Sequence, residues 1–329
     1  MTILILAVVF AIVFDYINGF HDSANAIATV VSTRVLTPRV AILMAAVMNF
    51  FGALYSTSVA KTVASGLVDP HGATQTVILA AVVGGIVWNL ITWYFGIPSS
   101  SSHALMGGIV GAAIARNGTS VVVWKGLMEK VLIPLITSPL LGFVGGFALM
   151  ILLYRVFANS HPAKVNKWFR HMQVFSSILM AFSHGSNDAQ KSMGVITMAL
   201  VSMGILAKPI VPLWVILACA TAMALGTTAG GWRIIKTMGH KIVRLEPVHG
   251  FAAEMTSSVV LLTTAHFGMP VSTTHVISSS ILGVGSAKRL GAVRWGVAQQ
   301  MVIAWVLTLP AAGGVAALTY FLFRLCGLN

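Results

Sequence analysis

Charge is what this sequence has least of. Only 8% of its 329 residues are Asp, Glu, Lys or Arg, and seven are acidic, whereas a soluble domain carries about 25% charged residues. A soluble globular fold is thereby excluded. Cysteine is scarce too. Cys219 and Cys326 stand in apolar stretches without metal-type spacing, which argues against a disulfide framework or a zinc site. The opening "MTILILAVVF" lacks a basic leader and a small-residue cleavage motif, so no signal peptide is expected. Alternating apolar and polar residues, the mark of a membrane barrel, are also missing. What is present is 57% hydrophobic sequence with a mean hydropathy of +0.91, in long continuous runs. In a bilayer every backbone polar group needs an internal partner, so such runs are helices. The net charge of +13 does not indicate nucleic acid. The basic residues flank apolar runs, as topology signals do, and the expected environment is the lipid bilayer.

The spacing predicts an all-α integral membrane protein of ten helical segments, at roughly 3–33, 39–62, 74–95, 99–115, 126–157, 172–205, 209–231, 249–267, 271–287 and 293–326. The first should be interrupted near 18–24 and the sixth near 184–190. Pro38, Pro98, Pro209 and Pro270 stand at junctions, where proline is tolerated. The chain also repeats itself. "FGIPSSSSHALMGGIVGA" (95–112) returns as "FGMPVSTTHVISSSILGV" (267–284), 172 positions later, and "NGFHDSAN" (18–25) as "HGSNDAQK" (184–191), at an offset of 166. This predicts two repeats of five segments, 1–157 and 172–329, joined by a basic cytoplasmic linker at 158–171. Five is odd, so the second copy should enter the membrane from the opposite side, with broken helices and re-entrant hairpins as further expectations. If the N-terminus is outside, thirteen basic residues face the cytoplasm, six face outward, and Lys191 lies within a membrane segment. That asymmetry favours a plasma-membrane, multi-pass protein with both termini extracellular or periplasmic.

Four acids are embedded: Asp15, Asp22, Asp188 and Glu254. Asp69, Glu129 and Glu246 fall in or beside loops. An intramembrane charge costs about 2.5–3.5 kcal/mol on insertion scales, so such residues mark pathways or paired sites. Asp22 and Asp188 hold equivalent positions, each three residues after a glycine able to interrupt a helix. Freed carbonyls plus a carboxylate suit a hard cation such as Na⁺, and Asn25 and Asn187 add amide oxygens nearby. The alternative is that each Asp pairs with a neighbour such as Lys191 and only holds the bundle together. "PSSSSH" (98–103) and "PVSTTH" (270–275) each open a helix. Hydroxyls, free amides and the helix dipole at such an end suit a tetrahedral oxyanion, and simple capping is the competing account. His103 and His275 are expected to be neutral and bonded to backbone, with proton coupling open. His21 and His184 flank the aspartates as ligands, shuttles or structure. Lys191 either neutralises Asp188 or touches the anion. Asp15 lines the access path or pairs locally. Glu254, opening its segment, is a rim residue or a second cation ligand. The pairs Gly107/Gly111, Gly142/Gly146 and Gly226/Gly230 fit close helix crossings.

At "NGFHDSANAIAT", "HGSNDAQKSMG", "PSSSSH" and "PVSTTH" the chain resembles the inorganic phosphate transporter (PiT) family, over both halves and nearly the whole length. The resemblance implies symport of phosphate with Na⁺ or H⁺ by inverted repeats with extracellular termini. By motif it implies that Asp22, Asn25 and Asp188 serve the coupling cations, and that Ser101, Ser102, Thr273 and Thr274 contact phosphate. Many members have Asn where this chain has His21, whereas Asn187 keeps the usual pattern. Many also carry a long central loop, reduced here to a linker of about 15 residues. The family includes sulfate permeases, so sulfate is the nearest rival cargo. An intramembrane hydrolase would use the two aspartates as acid and base, but a catalytic pair has little need of each role twice. A passive anion channel would ignore ion gradients. No enzyme activity and no cofactor are expected beyond the coupling cation. The sequence leaves oligomeric state open, a homo-oligomer included.

Overall fold

The computed structural model describes residues 1–68 and 73–328, and every named element among them is helical. Asp69 lies outside the described residues. The first repeat comprises α1 (Thr2–His21), α2 (Ser23–Ser32), α3 (Pro38–Ala53), α4 (Ser58–Ser65), α5 (Gln75–Phe95), α6 (Ser101–Asn117), α7 (Trp124–Leu127) and α8 (Ile133–Val156). The second comprises α9 (Pro162–Ser202), α10 (Leu213–Ala229), α11 (Trp232–Lys236), α12 (Pro247–His266), α13 (Thr273–Lys288) and α14 (Trp295–Leu325). A π-helical turn, Met128–Leu132, joins α7 to α8, and another, Thr237–Lys241, extends α11. Proline begins α3, α9 and α12, where its missing N–H costs nothing.

The packing repeats with the two halves exchanged. α1 lies against α10, and its counterpart α9 against α3. α6 lies against α14, and α13 against α8. Within each half, α5 packs on α6 and on α1, as α12 packs on α13 and on α9. These reciprocal pairings are those of an inverted duplication. The crossings are close because glycine removes the side chain. A Cβ at Gly19 would collide with the Met223 carbonyl, one at Gly226 with Tyr16, and one at Gly185 with Asn49. Gly107, Gly111, Gly142 and Gly146 meet α14 or α13 in the same way, while Gly230 instead takes a positive φ of 72° where α10 ends.

Three details depart from the sequence reading. α9 runs unbroken for 41 residues, so no interruption occurs near 184–190. Gly185 serves the approach of α3 rather than a break. The stretch 39–62 is two helices, α3 and α4, bent by 67°, and α10 continues through Trp232–Lys241 after a bend of 61°. Both bends follow local sequence, Tyr55–Ser56–Thr57 in one case and Gly230–Gly231 in the other. Much of the supposed linker is helix, because α9 already begins at Pro162.

Among the described residues, four helical stretches are long and apolar enough to cross a membrane: Thr2–Ser32, Gln75–Phe95, Trp124–Val156 and Trp295–Leu325. Counting each bent pair as one span makes six. α9 is absent from that set for a physical reason. Its central portion is buried in protein, and it carries Gln173, Ser176, His184, Asn187, Asp188, Gln190 and Lys191 inward. The lipid-facing surface is apolar instead, with Leu43, Ile136 and Leu318 each more than 60% exposed. The turns before α6 and α13 are buried at Ser99, Ser100, Val271 and Ser272. Each of these helices therefore begins inside the protein.

Candidate functional site

The centre is made by four chain features. One residue, Asp22 (φ −97°, ψ 3°), separates α1 from α2. Its N–H still reaches the Asn18 carbonyl at 2.8 Å, and its own carbonyl accepts from Asn25 N–H at 2.9 Å. The interruption thus falls on the aspartate itself, while Thr2–Ser32 continues as one span. Opposite lies the middle of α9, carrying His184, Asp188 and Lys191. The other two features are the N-termini of α6 and α13. There Ser100 and Ser272 are the caps, each accepting the N–H of the histidine three residues on, at 3.1 and 3.2 Å. Capping is therefore done by one serine per motif. It leaves the next two hydroxyls, Ser101 and Ser102 or Thr273 and Thr274, free to face the centre.

These groups meet. Asp188 accepts from Thr273 Oγ1 at 2.8 Å and from Lys191 Nζ. Lys191 also donates to Ser102 Oγ and, at 2.9 Å, to the Val271 carbonyl. Asp22 accepts from Thr274 Oγ1 at 3.4 Å. Asn25 Nδ2 donates to Thr273 Oγ1 at 3.2 Å and Thr274 Oγ1 at 2.9 Å. His21 Nδ1 lies 2.7 Å from Asp22 Oδ1 and 3.4 Å from Ser101 Oγ, with Nε2 3.0 Å from Thr92 Oγ1. His184 Nε2 lies 3.2 Å from Asp188 Oδ2, and Nδ1 3.0 Å from Asn49 Oδ1. All of these side chains are buried, Lys191 at 2% exposure. Every element that supplies one is thus tied to another repeat or another helix.

One atom each from Asp22, His184 and Asp188 fall within 4.8 Å of one another. The amide oxygens of Asn25 and Asn187 are buried without a partner among the described residues. Two carboxylates and two orphaned amide oxygens form a donor set suited to a hard cation. Beside it stand two helix N-termini, each worth roughly half a positive charge, with hydroxyl donors and the Lys191 ammonium. Oxygen donors that suit a cation thus lie beside N–H and O–H donors that suit an anion.

Lys191 holds Asp188 and also reaches Ser102 Oγ. Glu254 does not join this centre. It sits within α12 rather than opening it, because the helix begins two turns earlier at Pro247. It is fully buried, bonded to Thr29 Oγ1 and Ser176 Oγ, with Gln173 Nε2 at 3.4 Å. Asp15 accepts from Ser192 Oγ at 2.8 Å, pairing α1 with α9. Among the described residues, the rings of His103 and His275 find no hydrogen-bond partner, so they are not bonded to backbone. The rings face each other with centroids 4.9 Å apart, and His275 stacks on Trp305 at 4.3 Å. Thr92, Ser99 and Asn49 were missed. Each orients a histidine of the centre directly or through one bond, and the available signal was a polar residue inside an apolar run.

Residues 18–316 match the model of the Phosphate transporter family. The chain belongs to that family. This phosphate transporter is 51% identical over 324 residues to a "Probable low-affinity inorganic phosphate transporter" of Bacillus subtilis (strain 168), covering 98% of this chain and 97% of the relative. It is 49% identical over 313 residues to a protein of the same description from Rhizobium meliloti (strain 1021), covering 94% and 93%. Among solved structures, "The sodium-dependent phosphate transporter" superposes with a TM-score of 0.88 at 26% identity, over 99% of this chain and 100% of the other. The family and these relatives are transporters, not enzymes, and the transporter is a multi-pass membrane protein.

Proposed function

We propose that this transporter imports inorganic phosphate by symport with Na⁺, H⁺ being the alternative coupling ion, through alternating access around the buried centre. One observation carries the reading. Two inward-facing helix N-termini, whose hydroxyls beyond the caps turn to the centre, adjoin two carboxylates that are buried together. Phosphate would be held by Ser101, Ser102, Thr273 and Thr274 with the terminal amides. The coupling cation would be held by Asp22 and Asp188 with the Asn25 and Asn187 oxygens. The sodium-dependent character of the solved relative supports Na⁺. Moving one charge against 100 mV costs about 2.3 kcal/mol, so a phosphate anion entering a negative interior needs cations beside it. The adjoining walls neutralise each other's cargo. Thr273, bonded to both Asn25 and Asp188, and Thr274, bonded to both Asn25 and Asp22, link anion binding to cation binding. The basic-residue asymmetry supports a plasma-membrane orientation with both termini outside.

The test is phosphate uptake into proteoliposomes under separate Na⁺ and proton gradients, with sulfate as competitor. Asp22→Asn should abolish gradient-driven uptake while the protein still elutes as a folded species. Asp188→Asn is less clean, since it also strands the Lys191 ammonium. Uptake indifferent to both gradients would mean a passive pathway. Sulfate competing as well as phosphate would change the cargo.

A further inference from the structure

A solvent-facing cavity of about 800 Å³ opens on the face where α2 and α13 end, lined by Arg34, His240, Arg244, Lys288 and Arg294. Lys288 is committed, donating to Glu246 at 3.1 Å. Burial alone would raise the Glu246 carboxyl. The Lys288 bond and the surrounding positive groups, Arg244 among them, hold it below the ordinary value instead. Arg34, Arg244 and Arg294 have no carboxylate partner among the described residues. Three guanidinium groups around one space repel each other, so the free cavity is electrostatically unbalanced.

The scaffold that places these groups is fixed. Arg294 N–H donates to the Ile242 carbonyl at 3.0 Å. Arg34 is the one non-glycine residue with positive φ (58°) among those described, and its carbonyl accepts from Arg170 Nη2 at 3.0 Å. The duplicated architecture does not require the charges. At the repeat offsets of 166 and 172, the positions matching Arg34 and Arg294 are Leu200 and Val122. The cavity also adjoins the polar chain leading inward. Thr33, in its wall, donates to Gln173 at 2.8 Å, and Gln173 donates to Glu254. Guanidinium forks match phosphate oxygens two at a time. A space of this size takes an organic-sized ligand, and orthophosphate would fill little of it.

We propose that this cavity is a second anion site, separate from the buried centre, for a ligand bearing phosphate groups with at least two negative charges, either a soluble phosphate compound or an anionic lipid headgroup. It does not depend on the coupling reading above. The probe is radiolabelled inorganic pyrophosphate, bound at equilibrium to the full chain in nanodiscs of phosphatidylcholine. Saturable binding is expected, at least about tenfold weaker in R244Q/R294Q, with R244K/R294K in between. Both side chains are exposed, and melting temperature and elution check that the variants fold. A second arm adds phosphatidic acid, whose phosphomonoester carries up to about two negative charges, to the discs. Loss of pyrophosphate binding there assigns the site to a lipid headgroup, and unchanged binding assigns it to a soluble phosphate. Absence of saturable binding in phosphatidylcholine, or equal binding by R244Q/R294Q, would overturn the proposal.

Discussion

Lys191 offers the sharpest test of the centre. Its ammonium, 2% exposed, pairs with Asp188, which is 1% exposed. Breaking a buried pair by removing one partner costs about 3–5 kcal/mol, because a charge is left without compensation. Lys191→Met should fall at the lower end of that range, since Asp188 keeps Thr273 at 2.8 Å and His184 at 3.2 Å. In a chain of 329 residues that is a fall in melting temperature of about 4–5 °C. The double variant Lys191→Met/Asp188→Asn removes both charges and should recover at least about half of the loss, a coupling of the kind seen between contacting residues. The structure also supplies the assay. Cys219 is buried and Cys326 exposed, so a thiol-reactive fluorophore on a Cys326→Ser background reports unfolding through Cys219 alone. A Lys191→Met protein melting with its parent, or a double variant no more stable than the single one, would refute the ion-pair account.

Ser102→Ala and Thr274→Ala should each raise the KM for phosphate about tenfold or more, the worth of a hydrogen bond to a charged group. Unchanged KM in both would place the anion elsewhere. The caps behave differently, since Ser100→Ala and Ser272→Ala should each cost about 1 kcal/mol, read as a lower melting temperature in the Cys219 assay. Gly185→Leu and Gly226→Leu should prevent assembly of the folded bundle, because even a Cβ meets backbone on the neighbouring helix, and normal yield of either would contradict the crossing. Glu254→Gln keeps one acceptor oxygen, for Thr29 or Ser176 but not both, and loses the ionisable carboxyl. Thr29 is seven residues beyond Asp22, roughly 10 Å along a helix, so this variant should bind phosphate normally and lose coupled uptake. Weakened phosphate binding would show that Glu254 acts on the central site.

Membrane class, helical content and the duplication were all legible before any coordinates, because each rests on something periodic or compositional. Apolar runs long enough to span can only be helical, and a motif recurring in order at similar offsets can only be a copy. Asp22, Asp188 and the two hydroxyl motifs stood out because a polar residue in hydrocarbon needs a reason. Local sequence was silent wherever the reason lay on another helix. Gly185 looks the same in one dimension whether it breaks a helix or admits a neighbour, and only the α3 backbone beside it decides. The sequence places a segment at 172–205, yet hydropathy alone passes over α9, because a helix surrounded by protein turns its polar residues inward and needs no lipid-compatible surface. Glu254 was separated from the centre, and His103 brought against His275, by contacts between residues up to 225 positions apart. Composition dictated that this chain enters a bilayer, and the recurring motifs that it holds two copies of one unit. Which buried charges share a pocket was settled by packing, since pairing depends on distances through space that spacing along the chain does not encode.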